Sequence, residues 1–258
     1  MLTLLQKIYG SNEVDACRIF RELLISSTSE LDVKTVFLGK NVRNWIQVDV
    51  SGLESKVVEA YLDKQFGVAP SFSDIHVPLV VKGKIVDSGR VGYGIYVDIG
   101  LSLESPLDVL VPLYKFRSHL IDGQKLSMRK IIDIFCLYDN LPLSIRLINI
   151  NEDKQQIWAE PSDSQIALFR RWLSTHLDRV LIFGAHHKQV RLALKKSRIQ
   201  CYIAAIDTLG FLEYSLLCKP GTAAPGIIKT LGPYLPGIPL YAFSPKKAHS
   251  IISEQLPL

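Results

Sequence analysis

The sequence predicts an α+β protein in which a five-stranded β-barrel sits between two strand-and-helix units. Three observations predict it. Residues 79–161 hold five short strand-like runs with a single helical stretch between the third and the fourth. Residues 1–76 read strand, helix, strand, strand, helix, and the same order recurs within residues 162–258. The 258-residue length accommodates two or three small domains, and 48% hydrophobic with 21% charged residues is the composition of a folded chain, which excludes global disorder. The expected domains are 1–76, 77–161 and 162–258.

In the first unit Leu2–Tyr9 is the opening strand, and a helix over Asn12–Leu24 begins near a cap at Ser11. Its apolar residues Val14, Cys17, Ile19, Phe20, Leu23 and Leu24 recur at helical spacing. Asp32–Leu38 and Trp45–Val50 form a strand pair, and Ser51 and Gly52 lead into a second helix whose apolar face is Val57, Val58, Ala60, Tyr61 and Phe66. Gly67 is the expected helix stop, with Pro70 shortly beyond. This order is that of a ferredoxin-like unit. The proline- and serine-containing stretch Phe66–Leu79 is the expected hinge.

The barrel opens on Leu79–Gly100, two β-branched strands joined by a glycine-rich basic turn that carries Arg90. Asp108–Leu113 is a short third strand. After one helix, Leu143–Asn149 and Gln155–Ala159 form a final pair that turns over residues 151–154. Five strands with a helix between the third and fourth are the ground plan of an OB barrel, whose exposed face commonly binds single-stranded nucleic acid.

The residues narrow this further. The run VKGKIVDSGRVGYGIYVDIG, then DVLVPL, then LSIRLININEDKQQIWAEPS resembles the S-one RNA-binding domain of ribosomal and exosome proteins. Gly83, Tyr93, Gly94, Tyr96, Val97 and Asp98 fall on its pattern, as does the late strand Ile145–Asn149. The departure is Val111-Pro112-Leu113, which stands where such domains carry Val-His-x-Ser. The resemblance implies RNA or other single-stranded nucleic acid as ligand, with the ribosome or RNA polymerase as the setting. The whole chain, its tail CKPGTAAPGIIKTLG included, also resembles an archaeal domain-of-unknown-function family, number 2110, which implies little chemistry.

A helix over Ser164–Leu177 joins the barrel to the last unit, and its lack of glycine and proline predicts docked modules. Then come a strand at Arg179–Gly184, a helix at Lys188–Ser197, strands at Tyr202–Thr208 and Phe211–Lys219, a helix at Ala223–Tyr234 and a strand at Ile238–Phe243. Landmarks recur between the two outer units: Ile8-Tyr9-Gly10 with Ile182-Phe183-Gly184, Leu38-Gly39 with Leu209-Gly210, and Ser51-Gly52 with Pro220-Gly221. Either the units are divergent copies of one fold, or glycine stops recur in a common fold.

Charge singles out the last third. Residues 1–76 hold 8 Lys/Arg and 10 Asp/Glu, residues 77–161 hold 10 of each, and residues 162–258 hold 12 and 5. The +7 of that segment can attract a polyanion by counterion release. Lys188, Arg191, Lys195 and Arg198 follow i, i+3, i+7, i+10 on a helix without a carboxylate, where a solvated face would normally mix signs. Arg170, Arg171 and Arg179 extend the patch if the connecting helix docks alongside.

In the barrel, Lys82, Lys84 and Arg90 are expected to hold phosphates, the two lysines sharing one face by the period of two, or else to solvate an exposed sheet. Tyr93 and Tyr96 fall on opposite faces unless the chain bulges at Gly94, so one is expected inside and the other, preferably Tyr93, to stack on a base. The alternative makes both packing residues.

Other signals are weak. His186 and His187 diverge, lack a metal-ligand partner, and read as cap or phosphate contacts; no metal or other cofactor is expected. The tract Lys219–Lys229 lacks the phosphate-loop order and reads as a turn with Thr222 as helix cap and Pro225 in the first turn. No hydrolase elbow, His-Glu-x-x-His or dinucleotide fingerprint occurs, so an enzyme is not expected. Cys17, Cys136, Cys201 and Cys218 are scattered, as reduced thiols of a cytoplasmic protein would be. No apolar run approaches the ~20 residues that cross a bilayer, and the opening residues read as a strand, not a signal peptide. The expectation is a non-catalytic nucleic-acid-binding protein, with a protein-interaction adaptor on a ribonucleoprotein or polymerase as the rival.

Overall fold

The computed structural model describes residues 1–101, 107–151 and 153–253. The expected turn over 151–154 includes Glu152, which lies outside the described residues. The N-terminal unit runs β1 (Leu2–Lys7), α1 (Glu13–Thr28), β2 (Val33–Lys40), β3 (Trp45–Gly52) and α2 (Ser55–Phe66). Its antiparallel sheet has the order β1-β3-β2, and an isolated antiparallel bridge from Leu4 to Val68 occupies the place of a fourth strand beside β1. Gly67 ends α2 as its sequence predicts: at φ 75° it takes a backbone that a side chain would strain, and its N–H donates to the Asp63 carbonyl. The cap of α1 is Asn12, not Ser11, and the helix runs one turn past the expected Leu24.

The barrel follows: β4 (Val80–Val86), β5 (Gly94–Asp98), β6 (Val109–Pro112), α3 (Leu113–Leu120), α4 (Met128–Phe135), β7 (Pro142–Asn151) and β8 (Gln156–Pro161). It closes in the order β4-β5-β6-β8-β7, with β6 parallel to β8 and the other pairs antiparallel. Alternate residues such as Ile85, Ile95, Val97, Val109, Val111 and Ile145 fill the interior. Two glycines allow the strands to approach. A Cβ on Gly83 would stand 2.5 Å from the Asp98 carbonyl oxygen, and one on Gly94 would stand 2.5 Å from that of Val111. The single helix expected between the third and fourth strands is a pair, α3 and α4.

Next comes α5 (Asp163–Ser174), then β9 (Arg179–Phe183), α6 (His187–Lys196), β10 (Ile203–Thr208), β11 (Glu213–Cys218), α7 (Ala224–Leu231), β12 (Leu240–Phe243) and α8 (Pro245–Ser253). The antiparallel order β10-β11-β9-β12 completes the ferredoxin-like plan predicted for this unit. The sequence reading missed α8. It also expected Thr222 to cap α7, where Ala223 holds the cap position without a side-chain bond while the proline does sit in the first turn.

The modules share cores. Leu181, Phe183 and Phe243 of the C-terminal sheet join the barrel core through Phe169 and Trp172 of α5, and Leu212 enters the N-terminal core. The opposite face of the same sheet, with Val180, Ile182, Tyr214 and Leu216, packs under α6 and α7.

Burial also sets an alkaline limit on stability. Burial pushes the Cys136 thiol up to about 12 and the Tyr214 phenol up to about 12, and it raises Tyr9 and Tyr241 as well. Each such group stabilises the fold fully below its unfolded pKa, and the contribution is lost as pH rises towards the folded value. Between pH 9 and 11 Cys136 alone is expected to remove about 2 kcal/mol. Urea unfolding at pH 8, 9, 10 and 11 should show this decline, and Cys136→Ala should flatten its first part.

Candidate functional site

A cavity of about 670 Å³ opens on the outer face of β5 and β6, between the β4–β5 turn and the β7–β8 turn. Tyr93 and Tyr96 form one wall. The expectation that one of them turns inward fails, because β5 begins at Gly94 and Tyr93 precedes the strand, so strand alternation does not govern it. Tyr93 is 56% exposed and Tyr96 half-buried. Their rings meet edge to face, with centroids 6.5 Å apart and the hydroxyls 2.9 Å apart. That hydrogen bond is the main cause of the raised pKa of Tyr96.

Trp158, half-buried on β8, faces the tyrosines across the groove, with Leu110 of β6 and Asp108 just before that strand between. Arg90 and Asp87 come from one turn and Lys154 and Gln155 from the other. Arg90 pairs with Asp87 at 2.7 Å on an exposed surface, and Asp108 is held by Arg43 at 2.6 Å, so Lys154 is the groove cation without an ion pair among the described residues. The groove is aromatic and close to neutral. Sequence reasoning missed Trp158, Asp108 and Lys154. The signal for Trp158 was its alternation with Ile157 and Ala159, which turns the indole outward.

Two expected barrel contacts stand elsewhere. Lys84 is 1% exposed, and its Nζ lies 2.5 Å from Glu213 Oε2 of β11, at angles unlike those of a hydrogen bond. A lysine there cannot reach a phosphate, and its burial lowers its pKa although Glu213 works to raise it. Lys82 is exposed but lines a different cleft, between barrel and C-terminal sheet.

Lys188, Arg191, Lys195 and Arg198 are all exposed and without ion pairs among the described residues. The helical stripe is shorter than expected: α6 ends at Lys196, and Arg198 lies beyond it with φ 58°. None of the four lines the tyrosine groove, and the C-terminal sheet stands between α6 and the barrel. The tyrosines and the basic stripe therefore do not line one groove. Nor do the other arginines extend the stripe, since Arg179 is buried against Asp207 and α5 lies on the barrel side of the sheet. His186 is the cap of α6, its Nδ1 accepting from the Gln189 N–H at 3.2 Å, and burial lowers its pKa, which suits an acceptor.

A buried polar junction fixes the groove to the other modules. Asp98 Oδ2 accepts from Lys7 Nζ at 2.8 Å and Trp45 Nε1 at 2.9 Å and pairs with Arg43 Nε at 3.1 Å, while Oδ1 accepts from the Gly100 N–H. Beside it Glu213 meets Lys84 and accepts from Tyr9 Oη at 2.6 Å. Among the described residues no three His, Cys, Asp or Glu side chains gather as a metal site, and no helix is long and apolar enough to cross a membrane.

Fold and junction together define a class: an OB-type barrel clamped between two ferredoxin-like units. The chain belongs to the DUF2110 family, whose N-terminal domain matches residues 1–71, central domain residues 78–173 and C-terminal domain residues 177–241. No curated protein matches it. A solved structure, the uncharacterized protein MJ1198 from Methanocaldococcus jannaschii, is 14% identical over 35% of this chain and 96% of that one, at a TM-score of 0.24.

Proposed function

We propose that the groove between the β4–β5 and β7–β8 turns binds single-stranded nucleic acid, RNA in the first place, through its bases and without catalysis. The observation that carries this reading is the pair of accessible tyrosines on the strand-two face of an OB barrel, the surface on which such barrels take oligonucleotides. The S-one-like pattern of the central segment supports RNA and a role near the ribosome or RNA polymerase. Arg90 and Lys154 supply the phosphate contacts, in place of the expected Lys82 and Lys84. The exposed cations of α6 hold a separate stretch of backbone on the far side of the C-terminal sheet.

Two measurements test it. Anisotropy of a labelled twelve-nucleotide oligouridine should fall in affinity about 10- to 100-fold in Tyr93→Ala, given about 1–3 kcal/mol per stacked base. For this short ligand the slope of log affinity against log salt should be shallow, about −0.7 to −1.4 for one or two phosphates. A longer RNA that reaches α6 should give a steeper slope, which reversal of Lys188, Arg191, Lys195 and Arg198 to Glu flattens. Equal affinity of wild type and a Tyr93→Ala/Tyr96→Ala variant would sink the groove reading. The near-neutral groove and Val111-Pro112-Leu113 favour the adaptor as second reading, in which a protein partner co-purifies after nuclease treatment and oligouridine does not bind.

A further inference from the structure

The seam between barrel and C-terminal unit holds a second cavity of about 520 Å³, sharing no lining residue with the tyrosine groove. Its apolar surface comes from the half-buried Leu168 of α5 and Ile206 and Leu209 of β10 and the turn after it, laid over the buried Leu143, Phe169 and Trp172. A smaller cavity of about 350 Å³ shares Lys82, Pro142, Thr208 and Leu209 with it, so the two adjoin along the seam. Pockets of this size at domain boundaries are where small ligands are usually held.

The charges in the lining are one-sided. Lys82 from the barrel and Arg171 from α5 are exposed and carry no ion pair among the described residues. The one carboxylate in the lining, Asp207, is taken by Arg179 Nη1 at 2.6 Å. The polar floor is spent on itself: Gln165 Oε1 accepts from the Ser144 N–H, and Ser162 Oγ bonds Ser144 Oγ at 2.8 Å. What remains is a slot with an apolar strip, two cations without ion pairs and no unpaired carboxylate among the described residues.

We propose that this cleft binds a small amphipathic anion, its apolar body against Leu168, Ile206 and Leu209 and its head group neutralised by Lys82 and Arg171. A neutral ligand would leave both cations unanswered, and an inorganic anion would leave the apolar walls wet. The cleft also explains the position of Lys82, whose neighbour Lys84 is drawn inward by Glu213 while Lys82 stays open to solvent.

The test is calorimetry of the full chain with octanoate, octyl phosphate and 1-octanol, three ligands of one tail and different heads. Both anions are expected to bind at one site, with octanol about tenfold weaker or more. In Lys82→Met/Arg171→Met, both at exposed positions, the three ligands should bind alike, and Lys82→Gln should fall between. Tyr93→Ala should leave all three unchanged. The relative strength of octanoate and octyl phosphate identifies the head group. Absence of saturable binding, an anion preference that survives the double variant, or loss of binding in Tyr93→Ala overturns the proposal.

Discussion

Glu213→Ala is expected to destabilise the protein by about 3–5 kcal/mol, the range for breaking a buried ion pair from one side. Glu213 is fully buried at the meeting point of all three modules. It faces Lys84 of the barrel and accepts from Tyr9 of the N-terminal unit, and Gly210 beside it leaves no room for anything larger than hydrogen, since a Cβ there would lie 2.0 Å from the carboxylate. Removing the carboxylate strands the Lys84 ammonium without an anion and the Tyr9 hydroxyl without its acceptor. The measurement is thermal and urea unfolding of the two proteins. At about 2–4 °C per kcal/mol for a chain of this size, the midpoint should drop by roughly 10 °C. Glu213→Leu combined with Lys84→Met should recover much of the loss, because a buried pair replaced on both sides is often neutral. A single-variant loss below about 1 kcal/mol would show that Lys84 finds water or another partner, and the junction would not be what fixes the modules.

That junction marks where sequence reading stops. The elements were legible because each carries its own period: alternation in β7 and β8, helical spacing in α1, a glycine stop after α2. Module order followed from element order, and the ferredoxin-like sheets and the barrel came out as their patterns predict. Lys84 shows the limit. Alternation correctly put it on the same face of β4 as Lys82, yet the fate of that face changes along the strand, open at Lys82 and covered by β11 at Lys84. The covering residue, Glu213, lies in another module, and no local pattern ties the two together.

The expectation that Tyr93 and Tyr96 take opposite faces failed for a related reason. The orientation of Tyr93 depends on where β5 begins, and element boundaries are the least legible part of a pattern. The basic stripe was legible as chemistry and not as geometry. Charges on α6 are visible in sequence, but which side of the sheet α6 covers depends on the crossover between β9 and β10 and on which face meets the barrel. Helix α8 did carry a readable signal, since Ser244 followed by Pro245 is a helix-opening pair.

Asp98→Ala is expected to cost at least as much as loss of Glu213, again about 3–5 kcal/mol, and to act on the groove as well. Its carboxylate is fully buried, and its removal would orphan Lys7, the Trp45 indole N–H and the Gly100 N–H at once. Arg43 makes the difference from Glu213. It spans Asp98 and Asp108, at 3.1 Å and 2.6 Å, and Asp108 lines the tyrosine groove. Without Asp98, Arg43 keeps only Asp108 and can swing towards the groove. Unfolding should therefore show the stability loss, and the Trp45 indole proton should exchange faster with solvent than in the wild type. Asp98→Asn should fall between, since the amide oxygen can still accept from Trp45 while its NH₂ opposes Lys7. Arg43→Ala separates the two effects: it removes the link to the groove and leaves Lys7 and Trp45 on Asp98. If it alters oligouridine affinity at little cost in stability, the N-terminal unit positions the groove through that single arginine. If it changes neither, the junction serves only to hold the modules together.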